Sequence, residues 1–197
     1  MAYYLEHKIF VKNGYSERNV RLLASSYLVI SDFQSVLKLE NKAAIARPSV
    51  INKNILVFGA ARILSGNHAD AAFFFKSHME KCDKKYKAWV HWFYGFSQLL
   101  SGEFNQAEPE FSSLAVSSDN ALITGLSAYF LHSSIEKRSR NSNKCHEIAE
   151  NGRKRVTDGV KTVENWKKEA DKVGAEIHIA IIRKYIDQAG KWLFSGD

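Results

Sequence analysis

Apolar residues recur along this chain at intervals of three and four almost from end to end. Val20, Leu23, Tyr27, Ile30, Phe33 and Leu37 fall on one face of a helix, or of two successive helices, starting near Ser16. The segment Ala43 to Asn54 breaks the run, because Pro48 disfavours helix at Arg47 before it. From Ile55 to Leu131 the pattern resumes. Polar interruptions at Ser65-Gly66-Asn67, Cys82-Asp83-Lys84, Ser101-Gly102-Glu103 and Ser117-Ser118-Asp119-Asn120 cut it into five helices of about a dozen residues each. No stretch alternates with period two, so no sheet is expected and the fold class is all-α.

The interruptions are themselves periodic. A shift of 36 residues places Gly59 on Gly95, Gly66 on Gly102, His68 on Phe104, Ala71 on Ala107, Phe75 on Phe111 and Asp83 on Asp119. The first Gly of each unit lets a neighbouring helix come close, and the second supplies the positive φ of a tight turn between helices. Ala sits where two helices touch, and Phe fills the gap between successive hairpins. This order of small residue, turn Gly, aromatic, Ala and aromatic resembles the tetratricopeptide repeat, a helix-turn-helix unit of about 34 residues. The resemblance is best over residues 52–123. One period earlier it fades to Leu23, Ile30, Asp32, Ser35 and Leu39, a degenerate repeat without a turn Gly. The expected organisation is a lead-in over residues 1–15, a repeat domain over 16–133 with two clear hairpins and one degenerate one, and a basic helical extension over 134–197. The helix Leu122 to Ser133 would be a solvating cap or half repeat.

The extension differs in character. Between Ile135 and Lys172 there are eleven basic residues against seven acidic ones. A linker is expected at Arg138 to Asn143, with Asn141 or Ser142 as a helix N-cap. Beyond it Val156, Val163, Ala170 and Ile177 recur at seven, with Trp166, Val173 and Ala180 at the second heptad position. Three heptads imply one long helix packed along a narrow seam, against the repeats or a second chain, with Gly152, Gly159 and Gly174 as points of kink or hairpin.

Composition narrows the function classes without choosing among them. The 197 residues are 45% hydrophobic and 25% charged with only 2 Pro and 11 Gly, which excludes disordered and collagen-like chains. A net charge of +7 admits nucleic acid, an acidic protein or an anionic membrane surface as partner. Cys82 and Cys145 make no disulfide framework, so a reducing, cytoplasmic setting is expected. The first residues carry no signal-peptide pattern, and the longest apolar stretch, Leu22 to Ile30, is far shorter than a membrane span. Membrane association would need a partner or an anchor supplied upstream in a longer chain.

Catalytic motifs are missing: there is no Gly-x-Ser-x-Gly elbow, phosphate loop or zinc helix, and the expectation is no enzyme, no cofactor and no metal. Cys145-His146-Glu147 is the one local cluster of ligand types, but a site needs three or four ligands converging on one point and the nearest candidates, His132 and Cys82, have no ligand spacing to it. Glu108 and Glu110 read as solvated faces. Trp89, Trp92, Phe93 and Phe96 share one helical face. Core packing is one reading of these rings. The resemblance implies another, because the first helix of each tetratricopeptide unit lines a concave groove. The groove-facing positions would be Lys53, Leu56, Ala60, Trp89, Trp92, Phe93, Phe96 and His132. With Lys53 as their single base, a carboxylate clamp is not expected, and a partner's apolar or amphipathic helix is. The chain's own Val156 to Leu193 segment is a competing occupant, making the groove autoinhibited or part of the core. The function so implied is a non-enzymatic scaffold or adaptor, chaperone-like, of the kind found in secretion and envelope assemblies. Two alternatives stand beside it: a homo-oligomeric structural subunit, and a nucleic-acid or anionic-surface binder using the basic residues Arg153, Lys154, Arg155, Lys167 and Lys168.

Overall fold

The computed structural model describes residues 14–138, 143–177 and 181–195, and among them every regular element is helical. The helices are α1 (Glu17–Val29), α2 (Phe33–Ala46), α3 (Ser49–Lys53), α4 (Ile55–Leu64), α5 (His68–His78), α6 (Lys87–Leu100), α7 (Phe104–Ser117), α8 (Ala121–Arg138), α9 (Asn143–Val160), α10 (Val163–Ile177) and α11 (Arg183–Phe194), with one 3-10 turn at Lys84–Tyr86. The all-α class is as expected, and the five helices read between Ile55 and Leu131 are α4 to α8. No helix among the described residues is long and apolar enough to cross a membrane. The proposed linker residues 139–142, including Asn141 and Ser142, lie outside the described residues, as does Ala180.

Three helix pairs are closed by one turn. At the α4–α5 junction Gly66 adopts φ 79, its N–H bonds to the Ile63 carbonyl at 3.1 Å, and the Asn67 N–H bonds to the Arg62 carbonyl at 2.9 Å. At α6–α7 Gly102, with φ 81, repeats both bonds to Leu99 (3.1 Å) and, through Glu103, to Gln98 (2.8 Å). This is the Schellman arrangement, which satisfies the orphan carbonyls of the last helical turn. At α1–α2 the same pair of bonds forms from Ser31 to Leu28 (3.0 Å) and from Asp32 to Tyr27 (2.9 Å), and Ser31 itself takes φ 60. The degenerate first unit therefore has the full turn, with Ser where the others have Gly. Its side-chain stripe resets there, so that Val36, Leu39 and Ala43 are buried while Ile30 is exposed.

The chain forms two compact units, Met1–Val90 and His91–Asp197. In the first, Phe75 of α5 lies on Gly59 of α4, where an added Cβ would meet the ring at 2.0 Å. A largely buried ion pair joins α2 to α4: Arg62 holds both Glu40 oxygens at 2.6 and 3.1 Å, and it also reaches Asp70 of α5 at 2.9 Å and lies 4.2 Å from the Phe74 ring centroid. At the N-terminal end Ser16 caps α1 by accepting from the Asn19 N–H.

In the second unit α8 is central rather than a solvating cap. Leu122, Ile123, Leu126, Ala128, Phe130 and Leu131 are all buried, and helices on several sides cover it. The long C-terminal helix expected from the heptads is two helices. Lys161 adopts φ 65 and ends α9, and Thr162 opens the next helix by accepting from the Asn165 N–H at 3.1 Å. The seam then folds back on itself: Trp166 of α10 packs where Cβ atoms on Gly125 of α8 and Gly190 of α11 would stand, and its indole N–H donates to the Ile186 carbonyl at 3.0 Å.

Candidate functional site

Six of the eight predicted groove residues are interior, while Lys53 is exposed and His132 half-buried. Leu56 and Ala60 are buried in the first unit, and Trp89, Trp92, Phe93 and Phe96 are buried along α6. Lys53 pairs with Glu17 at 3.3 Å, and His132 stacks on Trp192 with ring centroids 4.9 Å apart. Trp92 stacks on Phe96 at 5.1 Å and meets Phe93, Phe111 and Phe130 at 5.2, 6.2 and 5.7 Å. Tyr185 of α11 closes this cluster, with its ring 5.3 Å from Phe96 and 5.2 Å from Phe130. The rings thus form a core, and the physical reason is that α8 and α11 both lie on the face that would have been open. Phe111 does bridge successive hairpins, stacked on Phe130 at 5.4 Å.

The aromatic core does not close completely. Beside Phe96 and Phe130 lies a cleft of about 570 Å³, walled by α6, α8 and α11 with Phe104 at one side. Leu99 and Leu100 give it aliphatic surface, and Tyr129, Lys184 and Gln188 stand at its polar side. The Tyr129 hydroxyl donates to the Gln188 side-chain carbonyl at 3.4 Å, and the Lys184 ammonium lies 4.7 Å from the Tyr185 ring centroid. Sequence reasoning reached Phe96 and missed the rest. Tyr185 and Gln188 sit three residues apart in a segment whose partners are 55 or more positions earlier, and no local pattern announces such a meeting.

The basic residues do not act as one patch. Arg153 donates to the Leu193 carbonyl at 3.2 Å and the Ser195 carbonyl at 2.5 Å, with its guanidinium 5.4 Å from the Trp192 ring centroid. Arg155 donates to the carbonyls of Ala115 (2.9 Å), Val116 and Ser118 (3.1 Å) at the end of α7. Both are consumed in capping helix C-termini, where a cation also meets the negative end of the dipole. Lys154, Lys167 and Lys168 are exposed, the first on α9 and the others on α10. Glu110 is no bare solvated face either, since it meets His91 at 3.1 Å. Burial pushes the Cys82 thiol above its ordinary value, the Lys87 charge opposing it.

The family described as "Uncharacterised Treponema protein" matches residues 35–195. The chain belongs to that family. A relative from Treponema pallidum (strain Nichols), described as "Uncharacterized protein", is 28% identical over 142 residues, which is 72% of this chain and 45% of the relative. The chain thus spans less than half the length of that relative. No solved structure matches. The family match runs from within α2 to the end of α11 and contains every residue lining the cleft.

Proposed function

We propose that this protein is a non-enzymatic scaffold or adaptor whose tetratricopeptide-like hairpins hold the amphipathic helix of a partner protein, working in the cytoplasm. The observation that supports this reading best is the same Schellman turn closing three hairpins, its left-handed residues Ser31, Gly66 and Gly102 spaced 35 and 36 residues apart. Repetition of one helical hairpin is the architecture of binding arrays. The docking face differs from the one expected, because the α6 rings are core. Apolar side chains left in solvent offer another: Leu22 is 52% exposed and Val29 84% exposed, seven residues apart on one face of α1, with Ile30 following at 62%. Ile45 and Phe73 are more exposed than Leu22, at 88% and 71%. Surfaces that keep large apolar groups in water serve interaction more often than stability.

The test is the double variant Leu22→Glu, Val29→Glu, compared with wild type in cross-linked co-purification from native lysate. Both positions face solvent, so helicity should be unchanged while the captured partner is lost. Full retention of that partner by a folded double variant would refute α1 as the docking face. Sedimentation of the purified wild type tells a heterologous partner from a second copy of the chain.

A further inference from the structure

The cleft beside Phe96 and Phe130 has a chemistry of its own. Its volume, about 570 Å³, falls within the range of small-molecule sites, roughly 300–1,000 Å³. Its walls are apolar in one direction, where Phe96, Leu100 and Phe104 line it, and polar in the other, where Lys184 and Gln188 stand one helical turn apart on α11 and Tyr129, Ser133 and Ser134 of α8 add hydroxyls. Lys184 is the single charged side chain of the lining; it is exposed, with its ammonium over the Tyr185 ring, and the nearby Asp171 carboxylate is engaged by Arg183. Its neighbour Gln188 accepts from Tyr129 through its carbonyl, leaving its amide nitrogen to donate. A site with apolar side chains on one side and a single cation among neutral polar groups on the other suits a ligand with a hydrocarbon body and an anionic head.

We propose that this cleft binds a single-chain alkyl carboxylate, with the chain against Phe96, Leu100 and Phe104 and the carboxylate at Lys184 and Gln188. The assignment rests on charge and shape within the second unit, and it stands or falls independently of partner binding at α1. A cationic amphiphile would place like charge on Lys184, and an uncharged one would forgo its pairing.

Isothermal titration of the full chain with decanoate, decanol and decyltrimethylammonium, each below its micelle concentration, tests this. Saturable one-to-one binding of decanoate is expected, tighter than decanol and much tighter than the cation. Affinity should rise roughly 3- to 4-fold for each methylene between octanoate and decanoate, as burial of hydrocarbon requires. Lys184→Glu, at an exposed position, should weaken decanoate by at least about 5-fold and favour the cation instead. Leu100→Trp, which fills the cleft, should abolish binding of all three, with circular dichroism and melting temperature verifying the fold of both variants. Equal binding of all three probes, or binding indifferent to Leu100→Trp, overturns the site. Binding lost in Leu100→Trp but unchanged by Lys184→Glu overturns the carboxylate assignment.

Discussion

A Cβ placed on Gly59 would stand 2.0 Å from the tip of the fully buried Phe75 ring, whereas one on Gly95, the equivalent position a period later, would meet Glu110 Cβ at 3.1 Å and the Phe111 ring at 3.5 Å. Helix propensity favours Ala over Gly at both sites by about 1 kcal/mol, so the packing decides the sign. Gly59→Ala should destabilise the protein by about 1–3 kcal/mol through overpacking. Gly95→Ala should stay within about 1 kcal/mol of wild type, since a small shift of Glu110 relieves the contact. Urea denaturation of the two variants side by side checks this contrast. Ser31 offers the converse experiment, because a non-glycine residue at φ 60 carries left-handed strain that a Gly would not. Ser31→Gly should therefore stabilise by about 0.5–1 kcal/mol, read as a raised urea midpoint with unchanged slope. A midpoint that falls would mean that the turn draws support from the Ser side chain.

The helices end and join by devices of unequal visibility. Arg155 reaches three carbonyls at the C-terminal end of α7 from a helix whose sequence position is 37 to 40 residues away. Replacing it with Met keeps the aliphatic stem and removes the donors, which should cost about 1–2 kcal/mol because the site is partly open to water. A variant as stable as wild type by denaturation would show these carbonyls to be satisfied by water. The turn glycines were readable because their demand is local: only Gly relaxes at φ near 80, and a 36-residue shift exposes the pair. Ser31 was not readable as a turn residue, since Ser is common everywhere and its strain is visible only in coordinates. The heptad positions Val156, Trp166 and Ala170 were correctly read as buried. Their continuity was not, because Lys161 breaks the helix at φ 65 and nothing in a lysine's chemistry predicts a left-handed backbone. The ion pair of Arg62 with Glu40, 22 residues apart, likewise needed tertiary structure to be seen.

For the whole molecule, the question is which apolar residues serve stability and which face a partner, and hydrophobic periodicity alone cannot answer it. A stripe such as Trp89, Trp92, Phe93 and Phe96 looks the same whether water or another helix lies against it. The answer came from Tyr185, which lies 89 positions beyond Phe96 and packs on it at 5.3 Å. Two substitutions therefore separate the roles. Trp92→Ala strips a ring in contact with Phe93, Phe96, Phe111 and Phe130 and should cost about 3–5 kcal/mol. Against a total stability of about 5–15 kcal/mol that is a large fraction, so any loss of binding in this variant would report unfolding. Leu22→Glu alters a side chain already half in water and should shift the melting temperature by no more than a few degrees. Near-ultraviolet circular dichroism and thermal melts of the two variants check the division. Should Trp92→Ala melt like wild type, the aromatic cluster would not be the core of its unit, and the face of α6 would return as a surface on which a partner could lie.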